Sequence, residues 1–138
     1  MPERVFTAVS ETSVRESFDR QQLMKTIGAE LVRVAPGEVD IALVWREDLT
    51  QQTGVLHAGV LASLADSACG YAALTLMPEG SDVVSIEFKL NLLAPARGPE
   101  LIAKGRVIRA GRTITTAAAD VFAGELIVAT MLGTMMRR

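Results

Sequence analysis

From Val55 to Met77 the chain is almost wholly apolar, and this run carries a single carboxylate, Asp66. A stretch of that length and character must be surrounded on several sides, by lipid or by protein. In a bilayer Asp66 would lie near the centre, where a charge costs roughly 2.5–3.5 kcal/mol on insertion scales. Amphipathic strand patterns on both sides of the run also favour burial in a protein core. The expectation is one long helix from His57 to Met77, ended by Pro78-Glu79-Gly80. Its many alanines, with Gly59, Cys69 and Gly70, let other backbone come close from several directions.

The flanking patterns say what does so. Ser13 to Thr26 reads as a short amphipathic helix, with Val14, Phe18, Leu23, Met24 and Ile27 roughly on one side, Gln21 among the polar positions elsewhere, and Gly28 as an end signal. Leu31 to Val34 and Val39 to Trp45 flank Pro36-Gly37 as a hairpin, and Arg46 to Gly54 reads as a loop. Four further strands are expected over Val83 to Leu93, Leu101 to Arg109, Thr113 to Phe122 and Leu126 to Met136. In the first, Val84, Ile86, Phe88, Leu90 and Leu92 oppose Ser85, Glu87, Lys89 and Asn91. Gly111 and Gly124 mark tight connections between the last three, which form an antiparallel meander. The fold class is α+β: an antiparallel sheet curled around a central helix buries that helix with the fewest assumptions. One domain over residues 1–138 is expected, with residues 1–12 a flexible leader to it. Long edge strands invite pairing with a second copy.

Composition narrows the function. With 138 residues, 49% hydrophobic and 22% charged, the chain has material for a real core. A net charge of −2 with interspersed signs gives no footprint for nucleic acid or an anionic membrane. The lone Cys69 cannot form an internal disulfide, and with one His and one Cys no metal site is expected. Charged residues at the N-terminus in place of a signal-peptide core, together with the unpaired cysteine, point to the cytoplasm.

His57, the only histidine, stands at the expected start of the helix, nine residues before Asp66. That spacing is about 13.5 Å along the axis and about half a turn around it, so the two side chains point to opposite faces. A two-fold dimer with facing helices would bring His57 of one copy near Asp66 of the other. The first backbone N–H groups of the helix favour developing negative charge, and the small Ala58 and Gly59 leave that end open. Each residue also has a plain structural reading: a hydrogen-bonded loop histidine, a satisfied buried carboxylate. No Gly-x-Ser-x-Gly elbow, phosphate-cradling loop or dinucleotide fingerprint is present.

Several blocks together resemble the hotdog-fold acyl-CoA thioesterases of the phenylacetate-degradation (PaaI-like) type: Gln51-Gln52-Thr53-Gly54-Val55-Leu56-His57-Ala58-Gly59, Leu64-Ala65-Asp66, Ser85-Ile86-Glu87-Phe88, Leu93-Ala94-Pro95-Ala96 and Gly111-Arg112-Thr113. The resemblance implies hydrolysis of an acyl-CoA without metal or cofactor. Asp66 would be general base or nucleophile, Gln51 would orient water or substrate, and His57 would bind near the thioester. The Ala58 N–H would polarise the carbonyl, Ser85 would assist from the strand facing Asp66, Gly59 would line the substrate, and Arg112 would meet the CoA phosphates. The usual His-Gly-Gly is here His57-Ala58-Gly59, which keeps the N–H donor. Gln51 and Ser85 are both expected to support Asp66. A homodimer is implied, with assembly to a homotetramer. An acyl-CoA-binding module without catalysis and a hydratase on the same fold are the competing readings.

Overall fold

The structure, a computed structural model, describes residues 7–138. Helices α1 (Glu11–Asp19) and α2 (Gln22–Ile27) precede strands β1 (Ala29–Ala35) and β2 (Glu38–Val44), and a 3-10 turn (Glu47–Leu49) leads towards helix α3 (Ala58–Leu74). Strands β3 (Val83–Leu92), β4 (Glu100–Ala110), β5 (Ile114–Ala123) and β6 (Leu126–Arg137) complete the chain. All six strands form one antiparallel sheet in the order β1-β2-β4-β5-β6-β3, curled around α3. The wrapped sheet, the central helix and the β4-β5-β6 meander are those read from the sequence. No helix among the described residues is long and apolar enough to cross a membrane.

Small residues set the distance between sheet and helix. Ala65, Ala68 and Ala72 of α3 are fully buried, as are Ala103 of β4 and Ala117 and Ala119 of β5. At Gly105 of β4 the approach is closest, because a Cβ there would collide with the Ala68 carbonyl oxygen. Larger side chains from β2, Val39, Ile41 and Leu43, are fully buried in the same core. Four of the methionines, Met24, Met77, Met131 and Met135, are buried and act as irregular filler.

The long helix is shorter than its apolar run. His57 is its N-cap, and beyond Leu74 the Thr75 hydroxyl bonds back to the Ala72 carbonyl at 2.7 Å while accepting from the Gly37 N–H, also at 2.7 Å. That arrangement spends the side chain on the β1–β2 turn and ends the helix before Pro78.

The single N-terminal helix expected over Ser13 to Thr26 is instead two, broken at Arg20-Gln21. In a continuous helix Met24 and Ile27 would lie about 80° and 140° around the axis from Val14, too far apart to share one face. The break lets both pairs, Val14 with Phe18 and Met24 with Ile27, turn inward. Part of the N-terminal segment over residues 1–12, expected to be flexible, is tied to the rest of the molecule. Residues 1–6 lie outside the described residues, but Val9 N–H donates to the Met77 carbonyl, Ser10 caps α1, and Glu11 and Thr12 are helical. Glu79 fastens the cap, accepting from the Ser10 N–H at 3.0 Å and the Ser13 hydroxyl at 2.8 Å, and these bonds hold its carboxyl below the usual range.

β3 is the free edge beyond β6, and its alternation is not the simple one read from the sequence. The register passes from Ser85 opposite Met135 to Glu87 opposite Thr134, leaving Ile86 as an extra residue. Ser85 and Leu90, five apart, therefore both face the helix; unbulged pairing would put them on opposite faces.

Gly105→Ala should lower stability by about 2 kcal/mol or more, as overpacking against a fixed backbone does. At Gly70 a Cβ would meet only Val83 Cγ1 at 3.9 Å, so Gly70→Ala should be neutral or stabilise by up to about 1 kcal/mol through helix propensity. Urea unfolding of the two variants should separate them in that order.

Candidate active site

Two clefts lie at different ends of β3, one holding His57 and the other Asp66. The first is built on the N-terminus of α3. The chain reaches it through a tight turn in which Gln51 N–H donates to the Val55 carbonyl at 2.9 Å, and Gly54 takes the left-handed conformation (φ 88°) that other residues adopt at a cost. Leu56 N–H then donates to the Ala96 carbonyl and His57 N–H to the Leu49 carbonyl, both at 3.0 Å, which fixes the helix start against two loops.

His57 is extended (φ −62°, ψ 139°) and caps the helix with its own ring: Nδ1 accepts from the Gly59 N–H at 2.8 Å. The next two amides, of Val60 and Leu61, turn to the His57 carbonyl at 2.9 and 3.4 Å. The Ala58 N–H is left without a partner among the described residues. The cleft it borders is about 580 Å³, with Gln51, Thr53, His57, Ala58 and Leu61 on one side and Leu92 to Arg97 on the other. A methyl at Gly59 would stand 3.1 Å from His57 Nδ1, so glycine leaves the ring its place.

The second cleft opens beside the free edge of the sheet. Asp66 is half-buried, and Ser85 of β3 donates its hydroxyl to Asp66 Oδ1 at 2.5 Å. Ser85 Oγ also lies 3.3 Å from the fully buried Met135 sulfur, its cross-strand partner. Oδ2 of Asp66 has no partner among the described residues, so the carboxylate keeps acceptor capacity toward the cavity. That cavity is about 320 Å³ and is lined also by Gln21, Ser67, Gly70, Tyr71, Asp82, Val83 and Val84.

The structure thus brings Asp66 together with Ser85, and His57 with Gln51, Ala58 and Gly59, but within one protomer it does not join the two groups. Within one protomer Gln51 stands apart from Asp66: its Oε1 accepts from the N–H and hydroxyl of Thr53 in its own turn, and it lines the His57 cleft. Arg112 lies in neither cleft. It stands exposed on the β4–β5 hairpin, whose turn is closed by the Gly111 N–H to the Ile114 carbonyl at 2.7 Å. Gln21, Ser67, Tyr71 and Asp82 were not singled out. Adjacency to Asp66 was a signal for Ser67; for Gln21, 46 residues away from Ser67 in the chain, there was none.

The neighbours of Asp66 restrict which group can react. Burial pushes the Cys69 thiol up to about 12, and the Asp66 charge adds to this, so no thiolate forms near neutrality. Burial likewise pushes the Tyr71 phenol up, leaving a neutral hydroxyl hydrogen-bonded to Ser17. Among the described residues no three His, Cys, Asp or Glu side chains converge as a metal site would require. What remains is the Asp66 carboxylate held by one hydroxyl, with Asp82 lining the same cavity, and a free helix-terminal N–H beside His57 in a separate cleft. The first can act as a base or nucleophile and the second can stabilise an oxyanion.

Comparison with known proteins bears on the same residues. The sequence model of the thioesterase superfamily matches residues 53–130, more than half of the chain and a span that includes His57, Asp66, Ser85 and Arg112. A thioesterase family protein of Silicibacter pomeroyi is 44% identical in its crystal structure, with a TM-score of 0.88 over 90% of this chain and 94% of that one. The human acyl-coenzyme A thioesterase 13 is 30% identical over 91 residues, 65% of this chain and 64% of its own length. The E. coli PaaI protein shares the fold at 20% identity, with a TM-score of 0.82 over 89% of this chain and 88% of that one. The architecture is therefore the hotdog fold, and the chain belongs to the thioesterase superfamily as a thioester hydrolase.

Proposed function

We propose that the protein hydrolyses acyl-CoA to free acid and CoA, in an active site completed by a second copy of the chain. The observation that carries this is the placement of the two clefts along β3. Its first residues, Val83 to Ser85, line the Asp66 cavity, and its last, Leu92, lines the His57 cleft. β3 is an unpaired edge on which Ile86, Phe88 and Leu92 expose 52, 42 and 53% of their surface. Antiparallel pairing of two β3 strands about a two-fold axis sets the Leu92 end of one beside the Ser85 end of the other. It covers the apolar edge and brings the partner's His57 and Ala58 towards Asp66.

In such a site the thioester carbonyl oxygen accepts from the Ala58 N–H at the positive end of α3, and Gly59 leaves room for its approach. Asp66 draws a proton from water as the water oxygen attacks the carbonyl carbon. The tetrahedral oxyanion then collapses, the C–S bond breaks, and the proton passes to the departing CoA thiolate. Alternatively Asp66 attacks the carbon itself, the C–S bond breaks to release CoA thiolate and leave a mixed anhydride, and water then cleaves the anhydride, freeing the acid and Asp66 and supplying the proton that the thiolate takes up. In both routes Ser85 orients the carboxylate so that one oxygen remains free to react. Gln51 would hold substrate or water from the His57 side. Arg112, which makes no ion pair among the described residues, would meet the CoA phosphates. Pairs of dimers would form a homotetramer, in the cytoplasm, where acyl-CoA is at hand.

Asp66→Asn should cost about 10²–10⁴-fold in turnover with an unchanged melting temperature, read by free-thiol release over a panel of acyl-CoAs; near-normal activity would remove Asp66 from the mechanism. Ser85→Ala should cost about tenfold, the worth of one charge-assisted hydrogen bond. Mixing inactive His57→Ala and Asp66→Asn subunits should restore about a quarter of wild-type activity, because half the dimers are mixed and each then has one intact shared site. Subunit exchange without recovery would place both residues in the same protomer's site. The single imidazole should show the Nε2–H tautomer in long-range ¹H–¹⁵N spectra, since Nδ1 accepts from Gly59, and Gly59→Ala should shift that Nδ1 resonance.

A further inference from the structure

The His57 cleft carries a charge that the bond-breaking steps leave unused. Among the described residues no carboxylate lines it, and its one permanent cation is Arg97, at the end of the Leu92 to Arg97 wall. The backbone on both sides of Arg97 is fixed. The buried Ala96 accepts from the Leu56 N–H at 3.0 Å, one residue before the cap of α3, and the Pro99 carbonyl accepts from the Trp45 N–H at 2.8 Å. Gly98 between them lies so close to Trp45 that a Cβ would stand 2.9 Å from the Trp45 Cβ. The Arg97 side chain, by contrast, is exposed. Arg15, Arg33, Arg46 and Arg106 each pair with a carboxylate, whereas Arg97 makes no ion pair or side-chain hydrogen bond among the described residues. A free guanidinium on a fixed backbone, lining a cleft without acids beside the positive end of α3, suits an anion.

We propose that Arg97 binds a phosphate of CoA and belongs to the same protomer as the His57 and Ala58 of that site. This rests on the acyl-CoA reading above and adds a binding residue to it. With the thioester carbonyl at the Ala58 N–H, Leu93, Ala94 and Pro95 give the pantetheine arm an apolar wall, and Arg97 follows them. Arg112 comes to the same site from the other copy. Its hairpin is tied to the Val83 end of β3 through β6, since the Arg137 N–H donates to the Thr113 carbonyl at 2.8 Å and Arg137 pairs with Val83. Antiparallel pairing of two β3 strands sets that end beside the partner's Leu92 end. Arg97 of one copy and Arg112 of the other then flank one CoA.

The test compares butyryl-CoA with butyryl-pantetheine, which has the same thioester and arm but no phosphate. In Arg97→Ala the ratio of their kcat/KM values should fall about tenfold, through KM, the worth of one charge-assisted contact. Added salt should narrow the difference between wild type and variant, and Arg97→Lys should recover part of it. Arg33→Ala removes the same charge from β1, at the opposite edge of the sheet, and should leave the ratio where it is. The butyryl ester of 3′-dephospho-CoA identifies the phosphate: a fall that persists with it belongs to the pyrophosphate, and one that vanishes to the 3′-phosphate. An unchanged ratio in Arg97→Ala would overturn the inference, as would an equal fall in Arg33→Ala, which marks a general effect of net charge. Absence of turnover in the wild type, or turnover indifferent to Asp66→Asn, would instead overturn the catalytic reading. Calorimetric affinities of CoA and pantetheine for wild type and Arg97→Ala then decide the phosphate contact on their own, by the same ratio.

Discussion

The contact on which the rest of the molecule depends is the approach of β4 backbone to α3 backbone at Gly105 and Ala68. It sets how tightly the sheet curls, and with it how much of the helix the sheet can cover. Because the facing residues are alanine and glycine, the gain per side chain is modest, but close packing without side-chain gaps makes the interface rigid. A helix held this way offers fixed positions for chemistry at its start and along the strip that the sheet leaves uncovered. His57 and Ala58 occupy the first, and Asp66 the second.

Asp66 shows how a carboxylate can be kept on such a helix. It is only half-buried, so it escapes the cost of full desolvation, and Ser85 gives one of its oxygens a short hydrogen bond. That bond exists because β3 is bulged at Ile86, which turns Ser85 towards the helix while Leu90 still packs on the core. The bulge also sits on the free edge of the sheet, where irregular pairing costs least. The structural defect and the polar contact are thus one feature.

Much of this was legible in the chain. The apolar run with its small residues gave the helix and the need for a sheet around it, and the glycines at 111 and 124 gave the meander. His57 and Asp66 stood out as polar residues with little structural reason to be there. What escaped the sequence depends on distant partners. The break between α1 and α2 reflects the shape of the surface they pack on, and no local breaker residue marks it at Asp19-Arg20-Gln21. The bulge at Ile86 hides inside a clean alternation of apolar and polar residues. Gln51 matched a family position, yet its Oε1 accepts from Thr53 within its own turn, so a motif gave its place but not this contact.

The division of labour along the chain follows from these dependencies. The candidate catalytic groups, Asp66 and Ser85 with His57 and Ala58, sit on α3 and β3, the elements held in the sheet and its core. Part of the cavity lining comes from Gln21 at the α1–α2 junction, and the two helices reach the core through the buried Val14, Phe18, Met24 and Ile27 and reach α3 through hydrogen bonds from Gln21 to Ser67 and between Ser17 and Tyr71. Each such bond contributes only about 1 kcal/mol of net stability, so these polar contacts can vary at little cost to the fold while the buried side chains hold the helices in place. Candidate reacting groups held by the core, with a cavity border set in part by a few polar contacts, is therefore the arrangement the packing itself favours.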